Sequence, residues 1–417
     1  MLSNGEKIVG KKGSASQALA GVKVLDFGWA VVGGLSGKYL GDYGAQVIRV
    51  ESATRPDLVR ATQYVSISST NNLDDKPWFN HINSSKYSLT VNLKDSLSQS
   101  VMDRLIRWAD VVLENYTPGT ISRMGYGYEY IRKIKPDIIM VSGSAYGQTG
   151  PLAYEWGVDG TGATSSGRLD LTGWPDRSPV NPSNTTYGDS VLGMINPMVV
   201  IAALDYKRRT GKGQYIDAGM LDVSIHQVTP AFLDWQANRH LQTRAGNRVP
   251  NASPHGVFPC KGEDRWCAIA VFTQEEWESF CRVIGNPTWT KQAKFASLKS
   301  RKSNEDELEP KVSEWTKNHS AEEVMSLMQD AGVSAGVVQN VQDLFERDPQ
   351  LKERKFLVSL KHPVLGVIKH PTPPYKLTKT EARVRTSPCI GEHTEYICTK
   401  LLGMTDQEFI ALLPCLV

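Results

Sequence analysis

Several chemical signals are missing from this chain of 417 residues. Its six cysteines form no Cys-x-x-Cys pair and its eight histidines show no ligand spacing, which argues against a metal site. The net charge is only +3, and no concentrated basic face is available to bind nucleic acid. No apolar run has the length that a membrane span needs. We therefore expect a protein of the reducing cytoplasm with no metal, nucleic-acid or membrane partner.

The first half of the chain alternates strand-like and helix-like segments. The strand-like segments are Gly21 to Phe27, Gln46 to Glu51, Tyr87 to Leu93, Val111 to Glu114 and Ile138 to Val141. This alternation predicts an α/β fold with a doubly wound, mostly parallel sheet. Residues 1–20 lack an apolar stretch of signal-peptide length and predict a flexible leader.

A chain of this length predicts two domains. Shorter elements over residues 236–345 predict a smaller α+β domain, which leaves 1–235 and 346–417 to a large Rossmann-like domain. The C-terminal segment has too little core for a third domain, so we expect it to return to the large one. Capping boxes predict helix starts at Thr273 with Glu276, Ser320 with Glu323, and Thr405 with Glu408.

Asp189 stands between a segment rich in Gly, Pro, Ser and Asn and the apolar run Val191 to Leu204. That order predicts a loop leading into a helix, with the carboxylate at or next to the N-cap. Unpaired N–H groups and the helix dipole would hold the carboxylate ionised there, ready to act as a nucleophile. A capping role alone is the simpler interpretation of the same pattern.

Two common catalytic motifs, the Gly-x-Ser-x-Gly elbow and the Walker loop, are absent. Val32-Gly33-Gly34-Leu35-Ser36-Gly37, followed by Glu51, is similar to a dinucleotide fingerprint. However, Val32 stands where the first glycine makes the tight turn. An NAD-dependent oxidoreductase therefore stays an alternative, and close helix packing against the sheet explains the same glycines.

Several segments in order resemble the class III CoA-transferases, the formyl-CoA and carnitine-CoA transferase family. They are Val24 to Phe27, Gly44 to Glu51, Ala109 to Gly119, Tyr146 to Pro151, Thr210 to Gln214 and Gly391 to Thr394. The resemblance implies that Asp189 is the nucleophile, which forms first a mixed anhydride and then an aspartyl-CoA thioester. Covalent catalysis divides one difficult acyl transfer into easier steps.

The resemblance also implies a site for coenzyme A, which is a substrate as its thioester and not a prosthetic group. The residues that it places there are Val31, Val32, Arg60, Val91, Lys94, Asn115, Tyr116, Arg123, Met124 and Asp159. Lys94 and Arg123 are suited to binding phosphates. An arginine that often follows the glutamate of the second strand in the family is replaced by Ser52, so we expect Arg60 to supply that charge.

Two sequence features bear on the reaction and the substrate. Acyl-CoA racemases of the same fold carry Gly-His-Asp where this chain has Gly157-Val158-Asp159, and valine exchanges no proton, which argues against a racemase or isomerase. Leu171 to Asp176 resembles the branch that acts on benzylsuccinate, often with succinyl-CoA as the donor. The resemblance thus implies an acyl-CoA donor such as succinyl-CoA and an organic acid acceptor such as an aromatic acid.

Members of the resembled family form interlocked dimers. The resemblance therefore implies a homodimer, or a heteromer with a related subunit, in which Asp189 would make this chain the catalytic one. A regulatory subunit that binds CoA stays the non-enzymatic alternative.

Overall fold

The computed structural model describes residues 17–62, 72–181 and 187–416. These residues divide into two compact units. The first contains residues 17–62, 72–169, 187–239 and 352–416, and the second contains 170–181 and 240–351. Residues 170–181 thus lie in the second unit, whereas the sequence placed them in the large domain. Residues 1–16 of the expected leader are outside the described part of the chain.

The first unit is built on a six-stranded sheet. Its strands are β1 (Lys23–Asp26), β2 (Gln46–Glu51), β3 (Tyr87–Thr90), β4 (Val111–Glu114), β5 (Ile139–Ser144) and β6 (Gln214–Gly219). The order across the sheet is β3-β2-β1-β4-β5-β6, and all neighbours are parallel. The strand order reverses between β1 and β4, and ligands bind at such a point beyond the carboxyl ends of the strands. The predicted doubly wound fold is confirmed.

Within the described residues, the first unit has the following helices before its C-terminal segment. They are α1 (Ala30–Asp42), α2 (Leu58–Ala61), α3 (Pro77–Ile82), α4 (Ser98–Trp108), α5 (Thr120–Arg123), α6 (Tyr128–Ile134), α7 (Asp159–Ser165), α8 (Tyr187–Thr210), α9 (Met220–Gln227) and α10 (Thr229–Asn238). The glycines of α1 allow close packing, since a Cβ on Gly33 would stand 2.3 Å from Cα of Gly28. A Cβ on Gly193 of α8 would likewise lie 2.8 Å from Cβ of Leu35. Close packing therefore accounts for the glycines of the dinucleotide-like segment.

The second unit combines an antiparallel sheet with helices. Its strands β7 (His255–Pro259), β8 (Trp266–Ala270) and β9 (Ser334–Val337) pair in that order. Its helices are α11 (Gln274–Val283), α12 (Leu298–Ser303), α13 (Glu305–Thr316), α14 (Ala321–Asp330) and α15 (Val341–Glu346). The capping boxes at Thr273 and Ser320 start α11 and α14, as predicted.

The C-terminal segment belongs to the first unit, as expected. It follows α16 (Pro349–Glu353) and contains the hairpin β10 (Leu357–His362) and β11 (Gly366–Pro371), then a π-helical turn and α17 (Asp406–Leu412). Ile397, Cys398 and Cys415 pack into the core cluster beside the sheet. The N–H of Asn92 donates to the carbonyl of Cys415 at 2.7 Å, which ties the chain end to the loop after β3.

The long helix α8 corrects one expectation. Its 24 residues are long and apolar enough to cross a membrane by length and composition, although the sequence suggested no such run. Core helices of globular proteins meet the same criterion, and α8 buries Leu192, Asn196, Val200 and Ala203 within the first unit.

Candidate active site

Asp189 lies in the first turn of α8 and is partly buried. The helix already begins at Tyr187, so Asp189 is inside the helix and is not its N-cap. The residues before the helix, 182–186, are outside the described part of the chain. From Tyr187 onward the chain forms the expected long helix, with Pro197 inside it.

Asp159, the first residue of α7, fixes the start of α8. Its Oδ1 accepts the main-chain N–H of Gly188, and its Oδ2 lies 3.9 Å from Nη2 of Arg168. Gly188 has to be a glycine, because a Cβ there would stand 2.7 Å from Oδ1 of Asp159. Both oxygens of Asp159 therefore face groups of the protein. The assignment of Asp159 to the CoA site stays a prediction, and its hydrogen bond to Gly188 also joins it to the start of α8.

The electrostatic environment of Asp189 is the opposite of the expected one. Burial raises the pKa of Asp189 to about 7, and the charge of Asp159 adds to the effect. The helix dipole is outweighed because the carboxylate has lost water and faces a second negative charge. Asp189 is therefore a much weaker acid than an exposed aspartate, and its proton is released only near neutral pH.

The start of α1 lies beside α8, the helix that carries Asp189. Val32 packs in one cluster with Met220 and with Leu192, which is one helical turn after Asp189. Nδ2 of Asn196 donates to Oγ of Ser36 at 3.1 Å, and Oγ of Ser36 donates to the carbonyl of Val32 at 2.7 Å. These contacts place Asp189 near the crevice between β1 and β4, where this type of sheet binds ligands.

The residues predicted to bind CoA fall into distinct groups. The side chains of Val31, Val32 and Val91 are buried in hydrophobic clusters, so a contact with CoA there would use the main chain. Asn115 is engaged by Trp29, whose N–H donates to Oδ1 at 2.6 Å and whose carbonyl accepts from Nδ2 at 2.9 Å. Lys94 and Arg123 are exposed, and Tyr116 and Met124 are partly buried.

Arg60 does not supply a charge for phosphate, contrary to our expectation. It is 1% exposed, and its five N–H groups donate to Glu51 twice and to Leu73, Asp74 and Pro388. Burial alone would raise the pKa of Glu51, but the charges of Arg60 and Arg49 lower it to about 2. Arg60 is thus a structural residue with no donor left for a ligand.

Arg55 is a better placed cation, which the sequence reasoning missed. It is exposed in the loop after β2, and its guanidinium lies 6.0 Å from the ring of Trp29, in the turn between β1 and α1. The sequence position of Arg55, four residues after Glu51, did not predict this contact with Trp29, because the contact depends on the conformation of the loop.

Sequence reasoning also missed buried polar atoms around this region. Between residues 144 and 227, in the described part of the chain, the buried side-chain atoms without a hydrogen-bond partner are Oγ of Ser144, Nε2 of Gln148, Nε and Nη2 of Arg168, Oγ of Ser224 and Nε2 of Gln227. Burial also raises the pKa of Glu114, at the end of β4, to about 7. Gln148 lies in Tyr146 to Pro151, one of the segments that resemble the family, and this was the sequence feature that could have pointed to Gln148. Buried donors of this kind are suited to binding a ligand.

Comparisons with known proteins identify the class. The sequence model of CoA-transferase family III matches residues 19–394. A probable CoA-transferase of Mycobacterium tuberculosis is 32% identical over 403 residues, which cover 93% of this chain and 49% of that protein, so the chain spans about half the length of that relative. A succinyl-CoA–D-citramalate CoA-transferase of Chloroflexus aurantiacus is 29% identical over 392 residues, which cover 94% of this chain and 96% of that protein.

A solved structure agrees with this result. The crystal structure of a CAIB/BAIF family protein from Brucella suis is 27% identical, with a TM-score of 0.85 over 93% of this chain and 100% of that one. The chain therefore belongs to CoA-transferase family III and is an enzyme of the CoA-transferase class.

The raised pKa of Asp189 predicts that Asp189→Asn stabilises the protein in alkali. The folded state holds this proton up to about pH 7, whereas the unfolded chain releases it near pH 3.8. Stability contributed by this group thus falls as the pH rises through that window. We expect the variant to gain on the order of 2–4 kcal/mol at pH 8 and little at pH 4. Urea unfolding at both pH values measures this.

Asp205→Asn, on the same helix, is the matched control. Hydrogen bonds from Arg208 and then Arg209 lower the pKa of Asp205, so its removal should reduce stability at neutral pH. A gain for Asp189→Asn that is the same at pH 4 and pH 8 would contradict the assigned environment.

Proposed function

We propose that the protein moves CoA from an acyl-CoA donor to an organic acid through covalent intermediates on Asp189, with succinyl-CoA as the donor. The observation that supports this most is the site of Asp189, a partly buried carboxylate with a pKa of about 7 in the first turn of α8, the helix that packs on the start of α1. A base whose pKa is near the working pH combines a usable ionised fraction with reactivity.

The steps follow from the chemistry of a carboxylate nucleophile. An oxygen of Asp189 attacks the thioester carbonyl of the donor, which forms a mixed anhydride and releases the CoA thiolate. The thiolate attacks the Asp189 carbonyl, which releases the donor acid and leaves an aspartyl-CoA thioester. The carboxylate of the acceptor then attacks this thioester, which forms a second mixed anhydride and releases the CoA thiolate again. The thiolate attacks the acceptor carbonyl of this anhydride. Asp189 is thereby regenerated and acceptor-CoA leaves.

Each attack creates an oxyanion that needs hydrogen-bond donors. Oγ of Ser144 and Nε2 of Gln148 are buried without partners at the carboxyl end of β5. We assign these groups to oxyanion stabilisation, because donors that are fixed before the reaction need no reorganisation during it.

The phosphates of CoA would meet exposed cations at the same edge of the sheet. Arg55 follows β2, Lys94 follows β3, and Arg123 lies in α5 after β4. Tyr116 and Met124 pack with Val91 in one cluster between these loops. Cations at the carboxyl edge of a parallel sheet, together with the main chain of the first turn, suit a large polyanion.

Two observations support the substrate class. The relative from Chloroflexus aurantiacus is named for succinyl-CoA and D-citramalate, and both corresponding acids are dicarboxylic. The segment Leu171 to Asp176 resembles the branch that acts on benzylsuccinate, an aromatic dicarboxylic acid. We therefore propose an organic acid of this kind as the acceptor, with benzylsuccinate as one candidate.

An apolar face of the first unit supports a homodimer. α10 buries none of its residues. The large apolar side chains exposed on α8, α9 and α10 are Tyr187, Met194, Met198, Val199, Ile201, Tyr206, Ile225, Phe232, Leu233 and Trp235. Soluble proteins rarely leave a patch of this extent uncovered. A second copy of the chain, or a related subunit, would cover it.

The nucleophile is tested by a panel of acyl-CoAs and carboxylic acids with the wild type and Asp189→Asn. We expect the wild type to transfer CoA, and the variant to lose about 10⁴-fold or more of kcat because the covalent route is closed. Asp205→Asn on the same helix should keep the wild-type rate.

Other outcomes of that panel would point elsewhere. Equal transfer by the wild type and Asp189→Asn would exclude Asp189 as the nucleophile. Exchange of an α-proton without transfer would favour the racemase, and an absorbance change that depends on NAD would favour the oxidoreductase.

The dimer predicts a mass of twice the 46.1 kDa chain by light scattering. Replacing Trp235 by Glu should shift the protein toward the monomer, because a charge would be desolvated in the interface. Ile410→Glu, an exposed apolar position on α17, is the control and should stay dimeric. A monomeric wild type would contradict the proposal.

A further inference from the structure

Arg168 is a buried cation whose hydrogen-bonding capacity is unused. Its side chain is 7% exposed, and neither Nε nor Nη2 has a hydrogen-bond partner. Among the described residues it is the arginine with two such atoms. A buried donor without a partner costs roughly 1–3 kcal/mol, and more when the group is charged. A fold that keeps this arrangement is explained if a ligand completes it.

The side chain is held in place from two sides. Nη2 lies 3.9 Å from Oδ2 of Asp159, and the guanidinium stacks on the ring of Tyr187 at 4.9 Å. Tyr187 is two residues before Asp189 in the first turn of α8. The unused donors therefore lie beside the proposed nucleophile.

The two unused nitrogens form one edge of the guanidinium, and this edge matches a carboxylate. The same chain shows what the edge binds. Nε and Nη2 of Arg60 donate to the two oxygens of Glu51 at 2.8 and 3.0 Å. Nε and Nη2 of Arg248 donate to the two oxygens of Glu309 at 2.8 Å each. The same edge of Arg168 is therefore suited to a carboxylate, and Asp159, at 3.9 Å from Nη2, makes no hydrogen bond that would occupy it.

We propose that Arg168 binds the second, non-reacting carboxylate of a dicarboxylic substrate and so selects dicarboxylic over monocarboxylic acids. This inference rests on the proposed function, since one carboxyl group of the substrate must react at Asp189. The phosphates of CoA are a poorer match, because the cations proposed for them are exposed whereas Arg168 is buried. A small anion beside Asp189 fits the place and the geometry.

The test compares acids of equal length with one or two carboxylates. Transfer from succinyl-CoA and butyryl-CoA, and to glutarate and valerate, is measured with the wild type, Arg168→Lys and Arg168→Met. We expect Arg168→Met to lose roughly 100-fold in kcat/KM for the dicarboxylic substrates, since sites built to bind a polar group discriminate strongly. The monocarboxylic substrates should change by less than about threefold.

Arg168→Lys keeps the positive charge but cannot donate two parallel hydrogen bonds to one carboxylate. We therefore expect its selectivity for dicarboxylic over monocarboxylic substrates to fall at least about tenfold. Arg132→Met, which removes an exposed arginine paired with Glu129, should leave all rates unchanged. If Arg168 only balanced the charge of Asp159, each variant would change kcat/KM for the dicarboxylic and the monocarboxylic substrates by the same factor. That result would overturn the proposal.

Calorimetric binding of free succinate and butyrate to the full chain separates the two hypotheses. If no acid accepts CoA but succinate binds to the wild type and not to Arg168→Met, the proposed function fails and the inference on Arg168 stands. If CoA is transferred but succinate binds equally to both proteins, the inference fails and the transfer reaction stands.

Discussion

The hydrogen bond from the main chain of Gly188 to Asp159 is the interaction on which the site depends. It joins the start of α7 to the first turn of α8. It works only with glycine at position 188, since a Cβ would collide with the acceptor oxygen. The bond holds the carboxylate of Asp159 close to Asp189, and the two negative charges with the loss of water explain why Asp189 is a weak acid. One contact thus sets both the position and the acidity of the proposed nucleophile.

The proposed chemistry makes use of this repulsion. Ionised Asp189 is destabilised by the neighbouring charge, whereas the mixed anhydride and the thioester on Asp189 are both uncharged. Formation of the first anhydride from ionised Asp189 therefore removes a like-charge contact, which favours the attack. The same environment lowers the ionised fraction at pH 7, so a pKa near neutrality is a compromise between charge and reactivity. Arg168, 3.9 Å from Asp159, keeps a positive charge in the region while its donor edge stays open.

Patterns that are local in sequence predicted the fold well. β2 and β4 have the predicted bounds, and Thr273, Ser320 and Thr405 each cap a helix, because periodicity and capping depend on near neighbours. The position of Asp189 at the start of a long apolar helix was predictable for the same reason. The acidity of Asp189 was not, since it depends on Asp159, thirty residues away in the chain. The roles of Arg60 and Arg168 were equally hidden, because burial and the partners of each donor arise only when distant segments meet.

The path of one oxygen atom tests the central claim most directly. The acceptor carboxylate that attacks the aspartyl thioester leaves one of its oxygens on Asp189 when the thiolate takes the acyl group. A single turnover with an acceptor acid labelled with ¹⁸O, followed by peptide mass analysis, locates that atom. The account predicts one labelled oxygen in the peptide that contains Asp189. Labelled acyl-CoA with no label in that peptide would show that transfer bypasses Asp189.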